Sequence, residues 1–313
     1  MDNTLTPVSN VPQRLDQHPA AVYVASLGAG SRRTMHAALN KLAQIIGAPD
    51  ALAVNWAALR FQHTAAIRAQ LAGEYQAATA NKMLAALRGT LRAARDLGQM
   101  DAGEYNRAVS FKILHGETLP RGRALSRGEI AALLQACAQD DTPAGARDGA
   151  ILALLRAGGL RRAELCALDL ADYDAGSLDV RGKGNKMRAV PLATGANDAL
   201  ADWLELRGAA TGPLFCPIGK DGTLVTGQRL TPQAIYNALA KRAQQAGVKN
   251  LSPHDFRRTF VSDLLDAGAD IVTVQKLAGH ANVTTTARYD RRGEQAKRKA
   301  VDLLHVPYTK RRA

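Results

Sequence analysis

Cysteine is nearly absent: Cys137, Cys166 and Cys216 are far apart in 313 residues, and no CxxC pair occurs. A disulfide framework and a cysteine-built zinc site are therefore excluded, and a reducing compartment is the expectation. Nothing approaches 18 consecutive apolar residues, and the first 16 residues hold no apolar segment of the signal-peptide kind. The chain thus reads as unexported and cytoplasmic, with no membrane partner. Internal repeats and low-complexity tracts are missing too, and aromatic residues make up only 4%.

What is present is an apolar fraction of 46%, enough for proper cores and incompatible with disorder throughout. The length exceeds one ordinary compact module, so two domains are expected. Lys and Arg number 41 against 28 Asp and Glu, a formal charge of +13. That excess predicts attraction to a polyanion, nucleic acid first and an anionic membrane surface second.

Residues 1–18 are polar and proline-containing and read as a loose arm; 19–111 carry a helical pattern. One run, 31–46, places Met35, Leu39, Leu42 and Ile46 at helical spacing with Ser31 as its N-cap. A second, 79–97, puts Leu84, Leu87 and Leu91 on one stripe and Arg88, Arg92 and Arg95 on its neighbour. Residues 112–124, with Gly, Pro and charges, break the periodicity and read as a linker.

From 125 to 313 the pattern is mixed. Ser126 and Glu129 form a capping box opening a helix to about 138, and further helices are expected near 146–157 and 161–168. Residues 177–192 show two β-prone runs around a Gly-Asn turn, a hairpin signal. Thr231-Pro232 and Ser252-Pro253 read as helix starts, and 295–304 as a short amphipathic helix. The expected fold class is mainly α with a small β-hairpin or sheet in the second domain (α+β).

Four segments bear chemistry. Gly158-Gly159-Leu160-Arg161 ends one helix and starts another, presenting a guanidinium at a helix start where an anion is favoured. Gly182-Lys183-Gly184-Asn185-Lys186 puts a lysine at a hairpin tip, where it can donate a proton. In Pro253-His254-Asp255-Phe256-Arg257, His254 and Arg257 are three apart and share a helix side. Leu277-Ala278-Gly279-His280 is followed nine residues on by Tyr289, and no second His or carboxylate completes a metal-ligand spacing. Alone, each segment is as compatible with solvated turns and packing as with a site.

Together and in this order, GLRRAEL, GKGNKMRAVPL, SPHDFRRTF and LAGHANVTTTARYD resemble the signature boxes of the tyrosine recombinase (phage integrase) family. The resemblance implies a helical core-binding domain over 19–111 and a catalytic domain over 125–313. It also implies that Tyr289 is the nucleophile on a scissile DNA phosphate. Arg161 and Arg257 would clamp the phosphate oxygens, Lys183 would protonate the leaving 5′-oxygen, and His254 and His280 would assist proton transfer. Glu164 would support the pocket.

By the same resemblance no metal or other cofactor is needed. The expected partners are double-stranded DNA with an inverted-repeat core site and further copies in a homotetramer, with a related partner recombinase as an alternative. Arg32, Arg33, Arg88, Arg92, Arg95 and Arg242 are candidate DNA contacts, mostly to phosphate. The short stretch before residue 19 leaves no room for an extra arm-binding domain, which favours a simple Xer-like or mobile-element recombinase. Competing readings are a type IB topoisomerase-like relaxing enzyme and a non-catalytic DNA-binding regulator.

Overall fold

The computed structural model describes residues 14–116, 122–182 and 185–290, together with positions 293, 301, 302, 304, 305, 307 and 308. The chain divides into two compact units, Met1–Pro120 and Arg121–Ala313.

The first unit contains α1 (Pro19–Ser26), α2 (Ala29–Ile45), α3 (Phe61–Glu74), α4 (Ala77–Asp96) and α5 (Ala102–Ala108). Its core is built on α4, whose Leu84, Leu87 and Leu91 are buried against Leu39 and Leu42 of α2 and Ile67 and Leu71 of α3. Trp56 is fully buried, and its indole N–H donates to the Ala51 carbonyl (2.8 Å), so the one polar atom of the ring is satisfied. Ser31 is not the N-cap of α2. Gly28 holds that position, and the Ser31 amide already donates to the Gly28 carbonyl, placing the serine in the first turn. The start of the expected linker is fastened to this unit: Asn81 exchanges two hydrogen bonds with the Leu114 backbone (2.8 Å each), and Arg68 donates to the Lys112 carbonyl.

The second unit runs α6 (Arg127–Ala138), α7 (Pro143–Gly158), α8 (Arg162–Ala167), β1 (Tyr173–Asp174), β2 (Ser177–Arg181) and β3 (Met187–Pro191). It continues with α9 (Thr194–Arg207), α10 (Pro232–Gln245), α11 (Pro253–Asp266), α12 (Ile271–Ala278) and α13 (Val283–Ala287). The Ser126–Glu129 capping box forms as the sequence predicts, and Thr231 caps α10 in front of its N1 proline. The strands form an antiparallel sheet in the order β1-β2-β3, with Val180 opposite Arg188 and Leu178 opposite Val190.

The central helix is α7, apolar nearly all round: Ile151, Leu152, Leu154 and Leu155 are buried. Truncating one of these leucines to alanine would cost about 2–5 kcal/mol, because packed neighbours cannot collapse fully into the void. A smaller apolar cluster joins Phe260, Val261 and Leu265 of α11 to Val274 and Ala278 of α12, with Tyr289 packed against its edge. This cluster ties α11 and α12 to the tyrosine that follows α13. Among the described residues no helix is long and apolar enough to cross a membrane.

Candidate active site

The α7–α8 corner is set by Gly159. It adopts φ +55°, and a side chain there would collide with the Phe260 ring, so the chain reverses where only glycine fits. Leu160 then plugs into the core, 1% exposed, and Arg161 becomes the N-cap of α8. The cap is closed from within: the Glu164 carboxylate accepts from the Arg161 amide (2.9 Å) and from its Nη1 (2.6 Å). The helix start therefore presents a guanidinium, with the Arg161 amide already taken. Arg161 Nη2 also donates to the Gly279 carbonyl (3.1 Å).

The N-terminus of α11 is braced by Asp255, which accepts from the Ser252 amide and hydroxyl (2.8 and 2.9 Å). His254 and Arg257 then follow on one side of the helix. Arg257 is 2% exposed and donates to the Gly159 carbonyl (2.7 Å) and to the Ala278 carbonyl. It thereby joins the α7–α8 corner to the end of α12.

Beyond α12, Gly279 takes the left-handed conformation (φ +62°) and turns the chain so that His280 is buried. The His280 Nδ1 lies 2.9 Å from the Thr286 hydroxyl, which orients the ring. Its plane stacks with Tyr289 at 6.2 Å between centroids and 12°. The Tyr289 hydroxyl lies 3.4 Å from His254 Nε2, and the Arg258 guanidinium sits over the tyrosine ring, 5.3 Å from its centroid.

The electrostatics are one-sided. Arg161, Arg257 and Arg188 surround a single buried carboxylate, Glu164. Burial works to raise the Glu164 carboxyl, but the Arg188 and Arg161 contacts outweigh it and hold it below the ordinary glutamate range. Burial, and then Arg161, bring Arg257 down to about 10. His280 is pushed down to about 4, by burial first and then by Arg257 and Arg161. Burial, followed by Arg257 and Arg258, also lowers His254. The cluster carries excess positive charge and is suited to an anion with several oxygens. Among the described residues, no three His, Cys, Asp or Glu side chains gather where a metal ion could be held.

Of the residues singled out from sequence, Arg161, Glu164, His254, Arg257, His280 and Tyr289 stand together here. Lys183 lies outside the described residues, as does most of 295–304. Gly182, just before the lysine, sits against Glu164 and Arg188, and its amide donates to the Lys186 carbonyl (2.8 Å).

The suggested DNA contacts divide. Arg32 and Arg33 are exposed, Arg32 also capping the carbonyls of Ala25 and Leu27. Arg92 is exposed beside Tyr105. Arg88 donates to the Phe111 carbonyl and lies over that ring at 4.7 Å, while Arg95 pairs with Asp96 and lies over Tyr105. Arg242 is a correction. It is 0% exposed and ion-paired with Asp148 (2.9 Å) and Asp140 (2.7 Å), so it serves the core of the second unit and is closed to a phosphate.

Two neighbours of the site escaped the sequence reading, Arg188 and Arg258. The signal for Arg188 was available. In a strand where Val190 is buried, position 188 shares its face, and an arginine facing inward demands a partner.

Residues 123–295, more than half of the chain, match the phage integrase family. The chain belongs to that family. Tyrosine recombinases named XerC are similar to it: that of Chromohalobacter salexigens is 44% identical over 179 residues, 56% of this chain and 57% of that protein. That of Azotobacter vinelandii is 38% identical over 241 residues, 74% of this chain and 75% of that protein. The chain thus spans less than two thirds of the first of these relatives and three quarters of the second.

Among solved structures, XerH site-specific recombinase bound to palindromic difH substrate covers 95% of this chain and 91% of its own, with 20% identity and a TM-score of 0.64. A lambda integrase dimer bound to a COC′ core site covers 89% and 77%, with 19% identity and a TM-score of 0.63. These likenesses show that the phage integrase member described here shares its fold, mainly helical with a small sheet in this chain, with both structures.

Proposed function

We propose that the protein is a site-specific DNA recombinase that cuts and rejoins DNA through Tyr289. The observation that carries this is the meeting, in one cationic pocket, of the Tyr289 hydroxyl with His254 Nε2 at 3.4 Å, beside Arg161, Arg257 and buried His280.

The tyrosine oxygen attacks phosphorus in line, the phosphorus–O5′ bond breaks, and a 3′-phosphotyrosyl link remains with a free 5′-hydroxyl. The bond energy is kept for religation, so no nucleotide triphosphate is consumed. Arg161 and Arg257 neutralise the charge that builds on the non-bridging oxygens, a role for which rigidly held guanidiniums suit better than lysines. Losing one such donor would slow cleavage about 10²–10³-fold. His254 takes up the phenolic proton, and Lys183 of the hairpin supplies a proton to the departing O5′. His280, held neutral by its surroundings, contributes a hydrogen bond without adding charge. Glu164 orients Arg161. The side chains thus supply the charge stabilisation that metal ions supply in many phosphoryl transfers, and the reaction proceeds without a metal or other cofactor.

The helical unit 19–111 binds the core site through Arg32, Arg33, Arg92 and the exposed faces of Arg88 and Arg95, and 112–124 links it to the catalytic unit 125–313. Four copies on two inverted-repeat sites exchange strands in pairs through a Holliday junction.

The deciding experiment uses a nicked suicide duplex bearing the cognate site, in the presence of EDTA. The unaltered chain gives a covalent, SDS-resistant adduct, and Tyr289→Phe binds the duplex but gives none. An adduct from Tyr289→Phe, or one that needs Mg²⁺, refutes the mechanism. Supercoil relaxation with no site requirement would mark a topoisomerase-like enzyme instead.

A further inference from the structure

The last turn of α12 ends in carbonyls that the helix itself cannot satisfy. Those of Gln275 and Lys276 are met by the returning amides of His280 and Gly279, both 3.0 Å. The next three go to three arginines from three different elements. Arg188 Nε of β3 donates to Leu277 (2.9 Å), Arg257 of α11 donates to Ala278, and Arg161, the cap of α8, donates to Gly279 (3.1 Å). Cations at this end of a helix also meet the negative end of its dipole.

Arg188 is more enclosed than Arg161, 13% exposed against 41%, and unlike Arg257 it turns its remaining nitrogens to Glu164, Nη2 to Oε2 at 2.9 Å and Nη1 to Oε1 at 3.3 Å. Its guanidinium also lies against Gly279, where a Cβ would come within 3.0–3.3 Å of its atoms. Glycine is therefore required at 279 twice over, for its backbone angle and for this contact. Arg188 thus touches both halves of the pocket: the carboxylate that holds Arg161, and the turn that delivers His280.

We infer that Arg188 is a positioning residue, fixing Glu164 and the 277–280 turn so that Arg161 and His280 are in place before DNA arrives. This rests on the recombinase reading of the pocket. Without Arg188, the buried Glu164 carboxylate is left to Arg161 alone, which is then drawn away from the phosphate it should bind.

The test uses the full chain with Arg188→Met and Arg188→Lys, each with and without Glu164→Gln. Two readouts are taken: single-turnover adduct formation on the suicide duplex, and amide hydrogen exchange of the DNA-free protein. Arg188→Met should slow adduct formation about 10- to 100-fold with DNA affinity changed less than about 3-fold. Exchange should speed up about 10-fold in residues 277–282 and stay unchanged in α10. Arg188→Lys should recover part of the rate, and in the Glu164→Gln background the loss from Arg188→Met should shrink, since no buried carboxylate then competes for Arg161.

A rate within about 3-fold of the unaltered chain, equal losses in both Glu164 backgrounds, or exchange that rises across the whole unit would each overturn the assignment. Failure of the unaltered chain to form any adduct would instead sink the recombinase reading, and the exchange data on residues 277–282 would still judge Arg188.

Discussion

Replacing His280 with asparagine should flatten part of the acid sensitivity of this protein. In the folded state His280 is 8% exposed, and burial first, then the facing Arg257, Arg161, His254 and Arg188, bring its pKa down to about 4. The unfolded chain titrates near the ordinary value of about 6.5. Between these values the unfolded state binds the extra proton, so stability rises with pH in that window. His280's contribution is fully present above about pH 6.5 and is lost as pH falls toward 4. A difference of about 2.5 units at about 1.4 kcal/mol each makes about 3.5 kcal/mol in full, of which about 3 kcal/mol is lost by pH 4, with a steepest slope of about 1.4 kcal/mol per pH unit.

Asparagine places an amide near the position of Nδ1, where it can still meet the Thr286 hydroxyl, but it does not titrate. Urea unfolding of both chains at a series of pH values isolates the histidine. The stability of His280→Asn minus that of the unaltered chain should rise by about 3 kcal/mol from pH 7 to pH 4. A difference that stays level across that range would refute the reasoning. So would a His280 ring-proton NMR titration with its midpoint above pH 6.

Binding of DNA should cause proton uptake near pH 5, because a phosphate between Arg161 and Arg257 offsets the cations that depress His280; calorimetry in buffers of differing ionisation enthalpy reads this. Arg242→Met should destabilise the fold by about 1–3 kcal/mol, since buried Asp148 keeps Arg147 on Oδ1 but loses its partner on Oδ2, while leaving the salt dependence of DNA binding unchanged. Arg92→Ala should do the reverse, keeping the melting temperature and lowering the salt slope by about 0.9. Gly159→Ala should impair cleavage and stability together, as the Cβ meets the Phe260 ring and the corner carrying Arg161 must shift.

Local signals were the most legible in the sequence. Ser126–Glu129, Thr231-Pro232 and Ser252-Pro253 mark helix starts because capping chemistry is read within three or four residues, and all three hold in the structure. Ser31 misled because its neighbour Gly28 also tolerates the extended backbone of a cap and lies earlier. The grouping of Arg161, Glu164, His254, Arg257, His280 and Tyr289 was legible through order and motif. Its physical glue was not. The three carbonyls at the end of α12 that gather the arginines belong to backbone groups, which every sequence carries and none advertises. Arg242 failed for the complementary reason: an arginine near a helix end looks solvated until Asp140 and Asp148, about a hundred residues earlier, fold against it.

Among the described residues the basic side chains accordingly include three populations with separate consequences. Arg207, Arg229 and Arg242 are spent on the second unit itself, bonding the carbonyls of Pro213, Cys166 and Leu168 or the carboxylates of Asp169, Asp140 and Asp148. Arg161, Arg188 and Arg257 converge on Glu164 and the end of α12. Among the described residues, exposed arginines such as Arg33 and Arg92 are placed to release counterions from a duplex. Salt sensitivity should therefore track the third population alone, and a slope approaching the full count of 41 basic residues would be impossible for this fold. Catalytic loss should track the second. Mutating Arg161 or Arg257 ought to slow cleavage about 10²–10³-fold at salt concentrations where binding is still intact, because these guanidiniums already have backbone partners in the DNA-free protein. Exchange of a carbonyl for a phosphate oxygen lets the pocket be assembled in the absence of DNA, so that little reorganisation is left for the chemical step.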